Sequence, residues 1–178
     1  MLAQSGELRR SDLIVVSVDS DGAGVLEAAD LFHQGFAPTV AIFEDPPDPV
    51  DQEFLRRGIA YYDAAALETQ ELRELGVASI LRIPRAAGGT QQEASVLSRW
   101  CRTQRFHSIL FVSTTDHAHR TRRVLGRAMR GQGVRIIVVG SKYSEFRPDA
   151  WWHTRTGART EIVEGEKLLL DIVRHPFS

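Results

Sequence analysis

The sequence predicts one α/β domain over residues 1–178, with three layers: a mainly parallel sheet of about five strands, and helices on both faces of that sheet. Short β-branched runs of five or six residues alternate with stretches of ten to fifteen residues whose apolar positions follow helical spacing. This alternation is typical of a covered parallel sheet. A length of 178 residues suits a single domain, and no repeat, linker or low-complexity segment divides it.

In the first half of the chain, each apolar run ends at residues that form turns or stop a helix. The first run is followed by Asp19–Gly22, the first helical stretch stops at Gly35, and the third strand stops at Pro84. The predicted elements are strands at 13–18, 39–43 and 78–83 and helices at 24–34, 50–57 and 65–75.

The second half continues the alternation. After a loop over 85–90, the predicted elements are helices at 91–104 and 116–130, strands at 108–112 and 134–139, and a helical tail at 149–173. We expect Gly157 and Gly165 to interrupt the tail, because glycine weakens a helix interior. In such sheets the ligand binds beyond the carboxyl ends of the strands, so the search for a site begins in those loops.

Composition excludes several classes of protein. The chain has 22 Lys+Arg against 23 Asp+Glu and 43% hydrophobic residues, which is typical of an ordinary globular domain. The single cysteine, Cys101, excludes an intramolecular disulfide and a multi-cysteine metal cage, and we expect it to be a buried, inert thiol. No apolar run approaches the ~18 residues of a membrane span. Residues 1–12 lack the apolar core of a secretory signal, so with Met1 as the native start the expected location is the cytoplasm.

Positive charge is almost entirely arginine. Four arginines share one face of the predicted helix 116–130, at positions i, i+3, i+7 and i+10: Arg120, Arg123, Arg127 and Arg130. Such a stripe suits a nucleic-acid backbone, but a pI near 6.6 and the lack of interleaved aromatic residues argue against that partner. We therefore expect a solvated or subunit-contact face, which leaves a homo-oligomer open.

The segment after the fourth predicted strand is the first candidate site. His117 and Arg120 are three residues apart at a helix start and share a face. Together with the helix N-terminus and the hydroxyls of Thr114 and Thr115, they suit a carboxylate or phosphate. The structural alternative is that one threonine caps the helix and His117 bonds a neighbouring loop. His119 points about 200° away from His117 on a helix, so we expect it on the surface.

Two carboxylates flank Ser20 in the turn after the first strand. Asp19 and Asp21 suit a divalent metal ion or a general base. Aspartate is equally a common turn former that bonds its own backbone. If these carboxylates face His117, a base–histidine pair results, and the sequence leaves this open.

Three further groups have structural as well as functional interpretations. Thr90 and Glu93 fit a capping box at the start of a helix, which needs no ligand. Trp151 and Trp152 suit stacking on a planar ligand such as adenine, although paired tryptophans are more often core or subunit-contact residues. Arg159 is a candidate to reach the cleft. The pair Glu164 and Lys167 has the i,i+3 spacing of a helical ion pair.

Three residue groups, in this order and at these separations, resemble one bacterial family. They are Gly89–Ala94, which opens a helix; Val112–Arg120, a strand end followed by hydroxyls and His-x-x-Arg; and Trp151-Trp152 followed by Arg159 and Glu164-x-x-Lys167. Together they resemble the envelope-associated family of SanA, ElyC and YdcF over about 12–173. The His-x-x-Arg segment is the most specific part.

The resemblance implies a Rossmann-like domain linked to cell-envelope integrity, with a poorly defined activity. One member is similar to S-adenosylmethionine-binding proteins, so the resemblance implies that compound as a candidate ligand, and it implies that Thr90 points into the cleft. Two departures matter, because relatives end the first strand with consecutive glycines and the second with Ser-Gly-Gly. Here Val18–Gly22 and Phe43–Asp45 stand in those places. Acids instead of glycines argue against anion binding at those two loops.

The sequence thus leaves two hypotheses. In the first, a small anionic or nucleotide-like ligand binds at the carboxyl ends of the strands, with hydrolysis or group transfer as the reaction class and with Asp19, Asp21 and His117 as its catalytic groups. A divalent metal is a second candidate cofactor. In the other, the chain is a non-catalytic regulatory or protein-interaction domain. No P-loop, HExxH or GxSxG motif occurs, which removes a standard P-loop nucleotidase, a zincin and an ordinary serine hydrolase.

Overall fold

The computed structural model describes residues 8–84, 89–146 and 150–176. In these ranges, five parallel strands form one sheet in the order β3-β2-β1-β4-β5. The strands are β1 (Leu13–Val16), β2 (Val40–Phe43), β3 (Ile80–Ile83), β4 (Ser108–Ser113) and β5 (Arg135–Gly140). The helices are α1 (Asp21–His33), α2 (Pro49–Arg56), α3 (Ala64–Glu74), α4 (Thr90–Gln104), α5 (Ala118–Ala128) and α6 (Arg155–Arg174). The predicted α/β class and its parallel sheet are confirmed.

Both faces of the sheet are buried, because successive residues along each strand alternate between two apolar layers. Ile14 and Val16 of β1 belong to the layer that α1 and α3 cover. Leu13 and Val15 belong to the opposite layer, which α4 and α5 cover. Strands that are buried on both faces are apolar throughout, which is why they are visible in the sequence as continuous runs.

The order of the strands creates a cleft between β1 and β4. The chain proceeds outward from β1 to β2 and β3, then returns to place β4 on the other side of β1, with β5 beyond it. Strand order therefore reverses between β1 and β4. In an open α/β sheet, this is the point where a ligand binds, beyond the carboxyl ends of the strands.

The C-terminal part differs from its prediction. A short 3₁₀ turn at Trp151–His153 comes first, and α6 then runs unbroken through Gly157 and Gly165. The Thr154 hydroxyl caps α6 by accepting a hydrogen bond from the Gly157 amide at 2.9 Å. The expected interruption at the two glycines is wrong, because one glycine costs a helix only about 1 kcal/mol and the cap and tertiary contacts of α6 offset this.

Other boundaries agree with the predictions to within a few residues. The α1 helix starts at Asp21, earlier than predicted, and His117 is the N-cap residue of α5. Residues 85–88 of the predicted loop and the predicted start of the tail at 149 lie outside the described residues. None of the helices in the described ranges has both the length and the apolar character needed to cross a bilayer.

Candidate functional site

The carboxyl ends of β1 and β4 open into a cleft with two compartments. The larger compartment, about 1030 Å³, lies between the loops after β1 and β4 and the start of α6. The smaller compartment, about 320 Å³, lies at the N-terminus of α4, against α5 and α6. Asp19 and His117 line both compartments and so stand at their junction. The structure therefore answers the question that the sequence left open, since these two side chains share a cleft.

The loop after β1 is held in a tight conformation. The Ser20 hydroxyl donates a hydrogen bond to the Ser17 carbonyl at 2.7 Å. A Cβ on Gly24 would lie 2.0 Å from that hydroxyl oxygen, so the approach of α1 to the loop requires glycine there. Asp21 has a φ of +43°, in the region that favours glycine. The result is that Asp19 and Asp21 both line the larger compartment.

Glu93 of α4 holds the loop after β1 through a hydrogen bond to its backbone. Its side chain is on α4, is only 3% exposed, and accepts a hydrogen bond from the Val18 amide at 2.9 Å. Burial raises the pKa of Glu93 to about 7, although hydrogen bonds from Val18 and the Ser17 side chain act in the opposite direction. The predicted capping box is wrong: Gly89 is the N-cap of α4, with no side-chain cap, and Glu93 reaches across to β1 instead. Glu93 therefore lies beneath the cleft and positions the backbone next to Asp19.

His117 lies between two carboxylates. Its Nε2 is 3.2 Å from Asp116 Oδ2 and 3.6 Å from Glu164 Oε1. The hydrogen bond with Asp116 raises the pKa of His117 in spite of partial burial. Burial alone would raise the pKa of Asp116, but hydrogen bonds from the side chains of His117 and Thr114 lower it overall. The arrangement favours an imidazolium that is held in place by Asp116 and Glu164.

Glu164 is the centre of an ion cluster that sequence reasoning did not identify as such. It accepts hydrogen bonds from Arg120 Nε at 2.9 Å and from Lys167 Nζ at 2.7 Å. Burial would raise its pKa, but the bonds from Lys167 and Arg120 lower it overall. The predicted Glu164–Lys167 ion pair is confirmed. The contact from Arg120 could not be read from the sequence, because it joins α5 to α6 across 44 positions.

Two further arginines of the stripe, Arg123 and Arg127, also contact α6. Arg123 Nε and Arg127 Nη2 lie 3.2 Å and 2.8 Å from the carboxylate oxygens of Asp171. The expectation of a solvated or subunit-contact face is therefore wrong for Arg120, Arg123 and Arg127. Their guanidinium groups form the contact between two helices of this chain, because the carboxylates of α6 lie directly opposite them.

Thr90 occupies a distinct position at the first turn of α4. The residue is only 6% exposed, and it lines the smaller compartment beside Gln91. Within the part of the chain that the structure describes, its hydroxyl makes no hydrogen bond. Arg120, Lys167 and Arg174 line the same compartment. A hydroxyl in the compartment wall, next to a helix N-terminus and several cations, has the character of an anion subsite.

The other sequence candidates are distributed around the cleft. Thr114 lines the larger compartment, whereas the Thr115 hydroxyl donates to the Ser141 carbonyl at 3.3 Å and lines neither compartment. Trp151 lines the larger compartment and stands at right angles to Trp152, which is 58% exposed and outside it. Arg159 lies in a separate groove along α6, which His117 also lines.

Two structural predictions are confirmed, and one metal arrangement is not found. Cys101 is fully buried, and burial raises the pKa of its thiol to about 12, so a reactive thiolate is disfavoured. His119 is exposed, as expected. Among the described residues, no group of three or more His, Cys, Asp or Glu side chains is placed to hold a metal ion.

Comparison with known proteins does not assign the chain to a family. No protein-family model matches the sequence, and no curated protein matches it.

Proposed function

We propose that the cleft binds a small, phosphate-bearing molecule of nucleotide-like size. The phosphate group occupies the smaller compartment, and the uncharged body of the ligand occupies the larger one. The observation that carries this proposal is the position of Thr90: the residue is only 6% exposed, it lines the smaller compartment, and it lies where the α4 N-terminus and three basic side chains meet. A hydroxyl in the wall of this compartment can donate a hydrogen bond to a ligand oxygen.

The electrostatics of the smaller compartment suit an anion. The α4 N-terminus presents backbone N–H groups with no side-chain cap at Gly89. Arg120 and Lys167 are both paired with Glu164, and Asp171 is paired with Arg123 and Arg127. Among the described residues that line this compartment, Arg174 therefore supplies the positive charge that no ion pair compensates, and it offsets the carboxylate of Asp19. The smaller compartment therefore offers donors and cations together, as phosphate sites do.

The larger compartment suits the body of such a ligand. Its volume of about 1030 Å³ accommodates a nucleoside. Asp19, Asp21 and Thr114 supply groups that bond to sugar hydroxyls, and Trp151 supplies an aromatic face for a base. The same carboxylates disfavour a second anionic group, so the ligand enters with its phosphate directed toward α4.

The resemblance to the SanA, ElyC and YdcF family supports the same cleft. Thr90, His117 and Lys167 come from the three separate sequence groups that carry the resemblance, and all three line the smaller compartment. Their convergence favours a shared ligand site over three unrelated structural roles. A role in cell-envelope biogenesis, in the cytoplasm, is part of this proposal.

The junction of the compartments is where a reaction would take place. Asp19 is the candidate general base and His117, held as an imidazolium, the candidate acid at the scissile bond. Hydrolysis or group transfer at the phosphate is the corresponding reaction class.

The second candidate function is that of a non-catalytic binding domain. It is favoured by the engagement of His117 with Asp116 and Glu164 and by the acids in place of glycines after β1 and β2.

Thermal shift with matched ligands tests the binding site. We expect adenosine 5′-monophosphate to stabilise the protein more than adenosine, since only the former carries a phosphate. Thr90→Val should remove this difference while leaving the melting temperature without ligand near its original value. The control is Thr69→Val on α3, whose hydroxyl bonds to Ala65 and lies away from the cleft; its response to ligand should match that of the unmodified protein.

Equal stabilisation by the two compounds would contradict the phosphate subsite. If S-adenosylmethionine, ribose 5-phosphate and Mg²⁺ also fail to shift the melting temperature, the non-catalytic interpretation replaces the proposal. Phosphate release by the unmodified protein, lost in Asp19→Asn with binding retained, would support catalysis.

A further inference from the structure

The α6 helix presents six of its large aliphatic side chains to solvent and two of its acidic side chains, Glu164 and Asp171, to the protein. The most buried residues among its twenty are Glu164 and Asp171, each about 6% exposed. Six large aliphatic side chains of the same helix are exposed: Ile162, Val163, Leu169, Leu170, Ile172 and Val173. This is the reverse of the usual amphipathic arrangement, in which the apolar face of a helix covers the core.

Ion pairs with α5 hold the inward side of α6. Arg120 bonds to Glu164, and Arg123 and Arg127 bond to Asp171. At about 100° per residue, Ile162, Leu169 and Val173 fall within one narrow stripe, roughly opposite Glu164 and Asp171. The stripe is therefore a surface of its own and not the edge of a core.

We propose that this stripe binds a second copy of the same chain, with the two α6 helices antiparallel across a two-fold axis. A two-fold interface requires a surface that is complementary to itself. The outward face of α6 meets this requirement, since the basic Arg159 and the acidic Glu166 flank the apolar pair Ile162 and Val163.

Charge sets the register of the two helices. With the axis between Ile162 and Val163, Arg159 lies opposite Glu166 of the partner subunit, and the pair occurs twice. An axis near Gly165 would instead bring the two Glu166 side chains together, which is unfavourable.

The size of this surface predicts a weak dimer. A helix of twenty residues is about 30 Å long and about 10 Å wide, a footprint of roughly 300 Å². Standard stable interfaces bury about 800 Å² on each partner. We therefore expect a monomer–dimer equilibrium that depends on protein concentration. Arg159, Ile162 and Val163 also line the groove along α6 that His117 borders, so the dimer is measured without ligand, and its test is separate from the test of the proposed function.

Sedimentation velocity over two orders of magnitude in protein concentration tests the dimer. We expect Leu169→Asp to leave a monomer at every concentration, because it places a charge in the stripe at a residue that is 62% exposed. The matched control is Ile59→Asp, beyond α2, where the original side chain is 52% exposed, and it should dimerise as the unmodified protein does. Circular dichroism checks that both variants are folded.

Charge exchange tests the register. Arg159→Glu and Glu166→Arg should each weaken the dimer at least several-fold, and the double variant should restore it. A protein that is monomeric at all concentrations would overturn the proposal, as would single variants that dimerise normally. Loss of the dimer in Ile59→Asp would assign the interface to α2 instead. A monomer that binds phosphatidylcholine vesicles through Leu169 would mean that a lipid surface covers the stripe.

Discussion

Asp21 adopts a backbone conformation that few side chains tolerate. Its φ is +43° and its ψ is −149°, where the Cβ of an L-residue is crowded by the backbone. Such a residue costs of order 1–3 kcal/mol, and residues of this kind concentrate at functional sites. Asp21 lines the larger compartment, so a role of its carboxylate in that compartment would explain why a strained residue is kept at this position.

Replacing Asp21 separates strain from charge. Both Asp21→Gly and Asp21→Ala remove the carboxylate, but only glycine relieves the positive φ. We expect the glycine variant to be more stable than the alanine variant by about 1 kcal/mol in urea unfolding. Both should bind adenosine more weakly than the unmodified protein. Equal stability of the two variants would mean that the backbone at Asp21 carries no strain.

The contact between α5 and α6 is electrostatic. Asp171 is buried against Arg123 and Arg127, and burial would raise its pKa if the hydrogen bonds from Arg127 and Arg123 did not lower it overall. The pKa of Asp171 is lower in the folded protein than in the unfolded chain. Asp171 therefore stabilises the fold at a pH above its unfolded pKa, and this stabilisation is lost as the pH falls through its folded pKa. Glu164 acts in the same direction.

Asp171→Asn should release α6 without unfolding the sheet. Removing one charge from a buried pair costs several kcal/mol, and partial exposure of the two arginines reduces this to about 2 kcal/mol. Hydrogen exchange should show faster exchange over 155–174, with β1 and β4 unchanged. The matched control is Glu161→Gln on the same helix, which should leave exchange in α6 as it was. Faster exchange in β4 as well would show that α6 and the sheet unfold together.

At the level of the whole molecule, the sequence predicts the strands of the sheet. It does not predict which side chains meet beyond the carboxyl ends of those strands. The strands are apolar throughout because both faces are buried, so their runs are visible in the sequence. The meeting of Asp19 and His117 depends on the strand order, which the alternation of strands and helices does not specify. Glu93 reaches Val18 across 75 positions, and local spacing therefore suggested a capping box instead.

The tail shows a second limit of sequence patterns. The sequence predicts a helical tail, and the helix exists with the apolar stripe of Ile162, Leu169 and Val173 on one of its sides. The pattern cannot say whether that face is turned toward the protein. Here the arginines of α5 pair with Glu164 and Asp171, so the side of α6 that carries the apolar stripe is turned outward.

Several titrating groups together set the pH at which the whole molecule is most stable. Burial raises the pKa values of Glu93 and Glu68 to about 7 from 4.5, and the bond with Asp116 raises that of His117. A group whose pKa is higher in the folded protein than in the unfolded chain contributes its full stabilisation below its unfolded pKa. That contribution is lost as the pH rises through its folded pKa. Asp171 has a lowered pKa and loses its contribution at low pH. We therefore expect maximal stability in mildly acidic solution, near pH 5.

The decline in stability above this maximum should be traceable to two side chains. A shift from 4.5 to about 7 corresponds to about 3 kcal/mol for Glu93 and to less for the half-buried Glu68, whose charge solvent screens. Unfolding free energy measured by urea between pH 5 and pH 8 should fall, and Glu93→Gln should remove most of the slope, since glutamine still accepts the bond from the Val18 amide. Glu68→Gln should remove a smaller part, and Glu166→Gln on the exposed face of α6 should leave the slope unchanged. Stability that rises from pH 5 to pH 8 would mean that Glu93 is ionised beneath the cleft, with the loop of Asp19 held by a full negative charge.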